Sequence, residues 1–108
     1  MSLDVTLSCN CCRQNVYNAN ITHNLGKMAA EAGIYNALWR PEEVGITKAE
    51  QLIPILEKGL EELRAEPDYF KKFDSPNGWG LYEHFVPFVE KYLEACREHP
   101  DTEVSVDR

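Results

Sequence analysis

The sequence predicts an α+β fold, mostly helical, in which an internally duplicated pair of bent helices packs beside a small antiparallel sheet formed by the N- and C-terminal strands. Three observations carry that expectation. Residues 50–68 and 83–101 repeat each other at an offset of 33, with 9 identities in 19 positions, including Pro54/Pro87, Glu57/Glu90, Lys58/Lys91 and Arg64/Arg97. Both ends of the chain alternate apolar and polar residues with a period of two, as half-buried strands do. Between them, helix caps and stops fall where apolar residues recur every three or four positions.

Leu3, Val5, Leu7 and Cys9 alternate with Asp4, Thr6, Ser8 and Asn10, and so define a first strand. Val104 and Val106 define another between Glu103 and Asp107. Each leaves backbone groups that only a partner strand can satisfy, so the two are expected to pair. Residues 15–20 offer a third strand, joined to the first by a turn through Asn10 to Arg13. A first helix should start near Asn20 or Thr22, bury Leu25, Met28, Ala29 and Ala32, and stop at Gly33. A short segment, Ile34 to Trp39, leads to Arg40-Pro41-Glu42-Glu43.

Thr47 followed three residues later by Glu50 forms a capping-box pattern, after which Ala49, Leu52, Ile53, Leu56, Leu60 and Leu63 mark the buried face of the second helix. Pro67 suits the first turn of a short helix over Asp68–Phe73, and Ser75 to Gly80 carries the composition of a loop. The last helix spans Leu81 to His99, burying Tyr82, Phe85, Val86, Val89, Leu93 and Cys96. Pro54 and Pro87 each remove one hydrogen bond early in the repeat helices, which predicts matching bends. A 33-residue period is solenoid-like, but two units fall short of the three or so that a stacked array needs, so one domain over residues 1–108 is expected.

Composition narrows the function classes. Hydrophobic residues make up 44% and charged residues 27%, ordinary globular values. A formal charge of -7 makes phosphate backbones poor partners, so direct nucleic-acid binding is disfavoured. No apolar run approaches the roughly 20 residues that span a bilayer, and no signal peptide is evident, so a cytoplasmic protein without membrane contact is expected. The acids are interleaved with Lys58, Arg64, Lys91 and Arg97, as on a solvated face that allows helix-face pairs such as Glu61/Arg64 and Arg97/Asp101.

Two clusters could carry chemistry. Cys9, Cys11, Cys12 and His23 supply soft ligands for a zinc site, but the two-residue spacer of knuckle-type sites is absent, and reduced cysteines are the better reading. No metal and no cofactor are expected. Tyr17, Asn18, Asn20, Thr22, His23 and Asn24 gather amide, hydroxyl and imidazole groups at a helix start, where capping competes with ligand binding as their role. In Asn77-Gly78-Trp79-Gly80 the glycines permit a tight turn, and Trp79 is expected to pack as a lid. No Walker loop or metal-binding helix motif is present.

The segments Asn20-Ile21-Thr22-His23-Asn24-Leu25, Ala32-Gly33-Ile34-Tyr35, Leu38-Trp39-Arg40-Pro41 and Pro76-Asn77-Gly78-Trp79-Gly80 resemble a family of small uncharacterised proteins encoded by phages and bacteria. The resemblance covers most of residues 17–106 and implies one compact intracellular unit, without an activity, cofactor or partner to carry over. The leading expectation is therefore a non-enzymatic accessory protein acting through protein contacts, with a protein partner or a second copy of itself. Tyr35, Trp39 and the Trp79 loop are its candidate exposed surfaces. The alternative is a small-molecule or enzymatic site on the Tyr17–Asn24 cluster, with Asn77 and Trp79 as neighbours.

Overall fold

The computed structural model describes residues 2–9, 14–74, 76, 78 and 80–108. It is α+β and mostly helical. Strands β1 (Ser2–Ser8), β2 (Asn15–Thr22) and β3 (Glu103–Asp107) form an antiparallel sheet in the order β2-β1-β3. The expected terminal pairing is present, running from Asp4 opposite Asp107 to Ser8 opposite Glu103. Alternation sorts the faces: Leu3, Val5 and Leu7 are fully buried, and their partners on β2 are Ile21, Ala19 and Tyr17. On the other face, Asn20 donates to Asp4 Oδ1 at 2.6 Å and to Ser2 Oγ at 2.8 Å, and Asn18 donates to Thr6 Oγ1 at 2.9 Å.

A 3-10 turn, His23–Leu25, leads from β2 into α1 (Gly26–Glu31), followed by α2 (Tyr35–Trp39) and a second 3-10 turn at Pro41–Val44. Extended structure thus runs through Thr22, where a helix start was expected. Cross-strand pairing of Asn20 with Asp4 and Thr22 with Ser2 offers the backbone a full ladder, and capping takes over only beyond it, where Thr22 Oγ1 accepts from the Asn24 amide at 3.3 Å. Gly33 ends the first helical unit at φ +79°, the left-handed stop that its position predicts.

The repeats form α3 (Ala49–Ala65) and α5 (Tyr82–Glu98), with α4 (Pro67–Lys71) between them. Because α3 starts one residue after Thr47 would allow, Gln51 rather than Glu50 is its third residue. Gln51 Oε1 accepts from the Thr47 and Lys48 amides at 2.8 and 2.9 Å. The next free amides, of Ala49 and Glu50, donate to the carbonyls of Thr102 and Pro100 at 2.9 and 3.1 Å. The start of α3 therefore sits beside the exit from α5, and the two helices run antiparallel.

Two ion pairs express the duplication directly. Arg64 pairs with Glu90 at 3.2 Å, and Arg97 pairs with Glu57 at 2.8 Å. Arg64 corresponds to Arg97 and Glu57 to Glu90 under the 33-residue offset, so each helix gives its partner what it receives. Both arginines reach across the helix pair rather than along their own faces. Beneath them lie Leu52, Leu56, Leu60 and Leu63 of α3 and Phe85, Val89, Leu93 and Cys96 of α5, all buried in one cluster with the sheet's inner face. Phe88 and Tyr92 are buried as well, whereas Tyr82 and Val86, expected inside, are only half-buried. Among the described residues no helix is long and apolar enough to cross a membrane.

Candidate functional site

A groove of about 1510 Å³ lies between β2 and α5, closed at one end by the His23 turn and by Gly78 and Gly80. Its strand wall includes Tyr17 and the consecutive residues Ala19, Asn20, Ile21 and Thr22. Successive residues of a strand face opposite sides, so four in a row are reached only along an edge. β2 is an edge strand. The helix wall is His84, Pro87, Phe88 and Lys91, spaced i, i+3, i+4 and i+7, which is one stripe of α5.

Local chemistry places each piece. Asp74 Oδ1 accepts from the Tyr82 amide at 2.7 Å, satisfying the first free amide of α5 after the loop. Tyr82 then donates its phenol to the Leu63 carbonyl at 2.7 Å, which ties the start of α5 to α3. Gly80, at φ +108°, brings the loop against the turn so closely that a Cβ there would lie 2.9 Å from Asn24 Cβ and 3.2 Å from Thr22 Cγ2. Two segments far apart in sequence therefore meet.

His23 is held from behind. The indole Nε1 of Trp39 donates to His23 Nδ1 at 2.8 Å. An indole N–H is only a donor, so Nδ1 is the acceptor and the ring proton resides on Nε2. Trp39 is 2% exposed, stacks on Tyr35 at 5.3 Å between centroids, and accepts at its carbonyl from Arg108 at 2.6 Å. Trp39 thus supports the site from inside, and its expected place on an exposed contact surface is corrected. Tyr35 is half-buried on that stack.

The predicted polar cluster divides. Tyr17, Thr22, His23 and Asn24 line the groove, Asn20 reaches its rim, and Asn18 is engaged on the outer face of the sheet. Asn77 and Trp79 lie outside the described residues, as do Cys11 and Cys12. Among the described residues no three His, Cys, Asp or Glu side chains come together to hold a metal ion. Cys96 is fully buried, far from solvent chemistry, and burial pushes its thiol up to about 12.

The groove's electrostatics contrast with the rest of the chain. None of the described residues lining it is Asp or Glu, although the chain carries 18 such residues, and it does present Lys91, His84 and His23. Glu90, one position from Lys91, is drawn away to Arg64. His84 Nε2 has the Glu83 carboxylate at 3.9 Å, which leaves Lys91 as the cation of the groove without a carboxylate partner among the described residues. The floor is aromatic: Tyr17 stacks on the buried Tyr92 at 5.9 Å, and Phe88 lies 6.0 Å from the same ring. Burial, with Cys96 adding to it, raises the Tyr17 phenol above its ordinary value, so it serves as a neutral hydrogen-bonding group.

Lys91, Pro87 and Phe88 were not among the sequence-predicted site residues. Their i, i+3, i+4, i+7 spacing with His84 was legible, but identity with Lys58 and Pro54 made two of them read as repeat architecture. No family model, curated protein or solved structure matches the chain.

Proposed function

We propose that the protein is a non-enzymatic binding module, acting in the cytoplasm through protein contacts made at the β2–α5 groove. The groove's size carries this reading. The groove runs open along the edge of β2 and one stripe of α5, and at about 1510 Å³ suits a chain segment laid along a strand and a helix.

A second reading, a small-molecule site at the Tyr17–Asn24 cluster, is favoured by the close approach of Gly80 to Thr22 and Asn24. Sedimentation of wild type and Lys91→Glu, with and without cell extract, separates the two. The expected result is a complex, with a partner or a second copy, that the substitution abolishes. A monomer unchanged by extract, yet stabilised by ~2.7 kcal/mol by a metabolite at 100 times its dissociation constant, would transfer the groove to the second reading.

A further inference from the structure

From the free edge of β2 and the charge of the groove, we infer that the partner is an extended acidic peptide segment that adds to the sheet as a fourth strand. The inference rests on the binding-module reading and deepens it. Among the described residues, the side of β2 turned away from β1 pairs with no strand, and no backbone bond reaches Asn15–Thr22 from outside the sheet. Edge strands are commonly guarded by charge or proline. Asn15-Val16-Tyr17-Asn18-Ala19-Asn20-Ile21-Thr22 contains neither, and among the described residues no backbone group bonds to its outer edge, which offers a template for another chain.

The helix wall selects among chains. A peptide added beside β2 would lie under the α5 stripe, with alternate side chains directed at Phe88 and Pro87 or at the donors Lys91 and His84. Main-chain bonding to β2 supplies affinity without regard to sequence, and the wall supplies preference. With no carboxylate lining the described groove, a basic segment finds no partner charge there, whereas Glu or Asp side chains meet Lys91 and the Nε2–H of His23. Lys91, the one charged residue among the described lining, thus favours an acidic occupant.

Selection of a random twelve-residue peptide display library on the intact protein tests this, followed by titration of the selected peptides as synthetic probes. Acidic peptides should be enriched. Their affinity should fall about tenfold in Lys91→Glu and fall little, if at all, in Lys58→Glu, the equivalent charge on α3 and away from the groove. N-methylation of alternate peptide residues should abolish binding in one frame and spare it in the other, because only one frame of amides faces β2. Peptides that depend on Lys91 but are not acidic, or tolerate N-methylation in both frames, would overturn the inference and leave the binding module standing. A β2-edge homodimer that the peptides cannot enter would make a second copy the occupant and also overturn it. Recovery of no groove-dependent peptide would overturn the inference, and would remove the binding module as well if the protein also sediments as a monomer unchanged by extract.

Discussion

Helices α3 and α5 are identical at 7 of 17 aligned positions and do different work, and the difference sits on one stripe. At Leu52/Phe85, Leu56/Val89, Leu60/Leu93 and Leu63/Cys96 both helices bury the face that joins them. On the adjacent stripe, Ile55, Gly59 and Glu62 of α3 correspond to Phe88, Tyr92 and Ala95 of α5. At Gly59 the helix backbone meets Ile34, where a Cβ would sit 2.4 Å from Ile34 Cγ2. At Tyr92 a full ring stands off the sheet and stacks on Tyr17. One helix meets its neighbour through bare backbone, and the other meets β2 through an aromatic ring. Pro54, Ile55 and Lys58 accordingly border a depression of about 320 Å³, and their counterparts Pro87, Phe88 and Lys91 border the groove of about 1510 Å³. A duplicated element gains a site where its copies stop being equivalent.

The greatest loss should come from making α5 resemble α3. Tyr92→Ala is expected to cost about 3–5 kcal/mol in denaturant unfolding, as buried aromatic truncations do. The phenol itself contributes nothing to this, since its hydroxyl is buried without a hydrogen bond to any described group. Tyr92→Phe should therefore be neutral or stabilising by up to about 1 kcal/mol. A large loss in Tyr92→Phe would show that the hydroxyl has a partner and that the ring is not simply a spacer.

The converse change tests the other copy. Gly59→Ala places a methyl into Ile34 and should destabilise by about 1–3 kcal/mol despite the better helix propensity of alanine. A stabilised Gly59→Ala variant would mean that Ile34 yields freely and that close approach is not what distinguishes α3. His23 links the contrast to the site: His23→Ala strands the indole N–H of the buried Trp39 and should cost about 1–3 kcal/mol, whereas His23→Gln keeps an acceptor and should cost less than about 1. Equal losses in both variants would contradict the hydrogen bond.

Alkaline titration distinguishes the copies at Leu63 and Cys96. Burial holds the Cys96 thiol up near 12, against 9.0 ordinarily, so the folded state retains a proton that the unfolded chain releases. That contribution to stability is complete below pH 9.0 and declines as pH rises toward about 12. Thermal unfolding of Cys96→Ala should show a shallower decline over that interval, though not a flat one, because burial also raises Tyr92. The smallest effects belong to the features the copies share. Arg64→Ala and Arg97→Ala should each cost about 0–1 kcal/mol, and by similar amounts, because both pairs are solvent-exposed.

Much of this architecture was legible because its signals are periodic. Alternation at Leu3–Leu7 and Val104–Val106 identified strands that do pair, and the 33-residue offset identified helices that do pack together. Gly33 stopped its helix as its position required. Expectation failed where local chemistry and tertiary pairing competed. Asn20 and Thr22 are good helix caps, yet the ladder with Asp4 and Ser2 claims them for β2. Trp39 looked available for contact because nothing in a five-residue helix announces that His23, sixteen positions earlier, accepts its indole proton. The groove was partly hidden for the opposite reason: Lys91 and Lys58 read identically in sequence, and only the sheet beside one and the Ala32-Gly33 stop beside the other assign them different surroundings.

The sheet's strand order also sets a schedule for the chain's acquisition of structure. β1 lies in the middle, beside β2, which follows it after a short connection, and beside β3, with Asp4 opposite Asp107. The hairpin of β1 and β2 can form as soon as both have left the ribosome, but the third strand, and the Pro100 and Thr102 carbonyls that receive the first amides of α3, arrive only after both repeat helices. Closing so long a loop is slow relative to local helix and hairpin formation. During synthesis, therefore, β1 has two open periods of different length: one side is covered early, and the other stays exposed to any passing strand until both repeat helices and β3 have been translated.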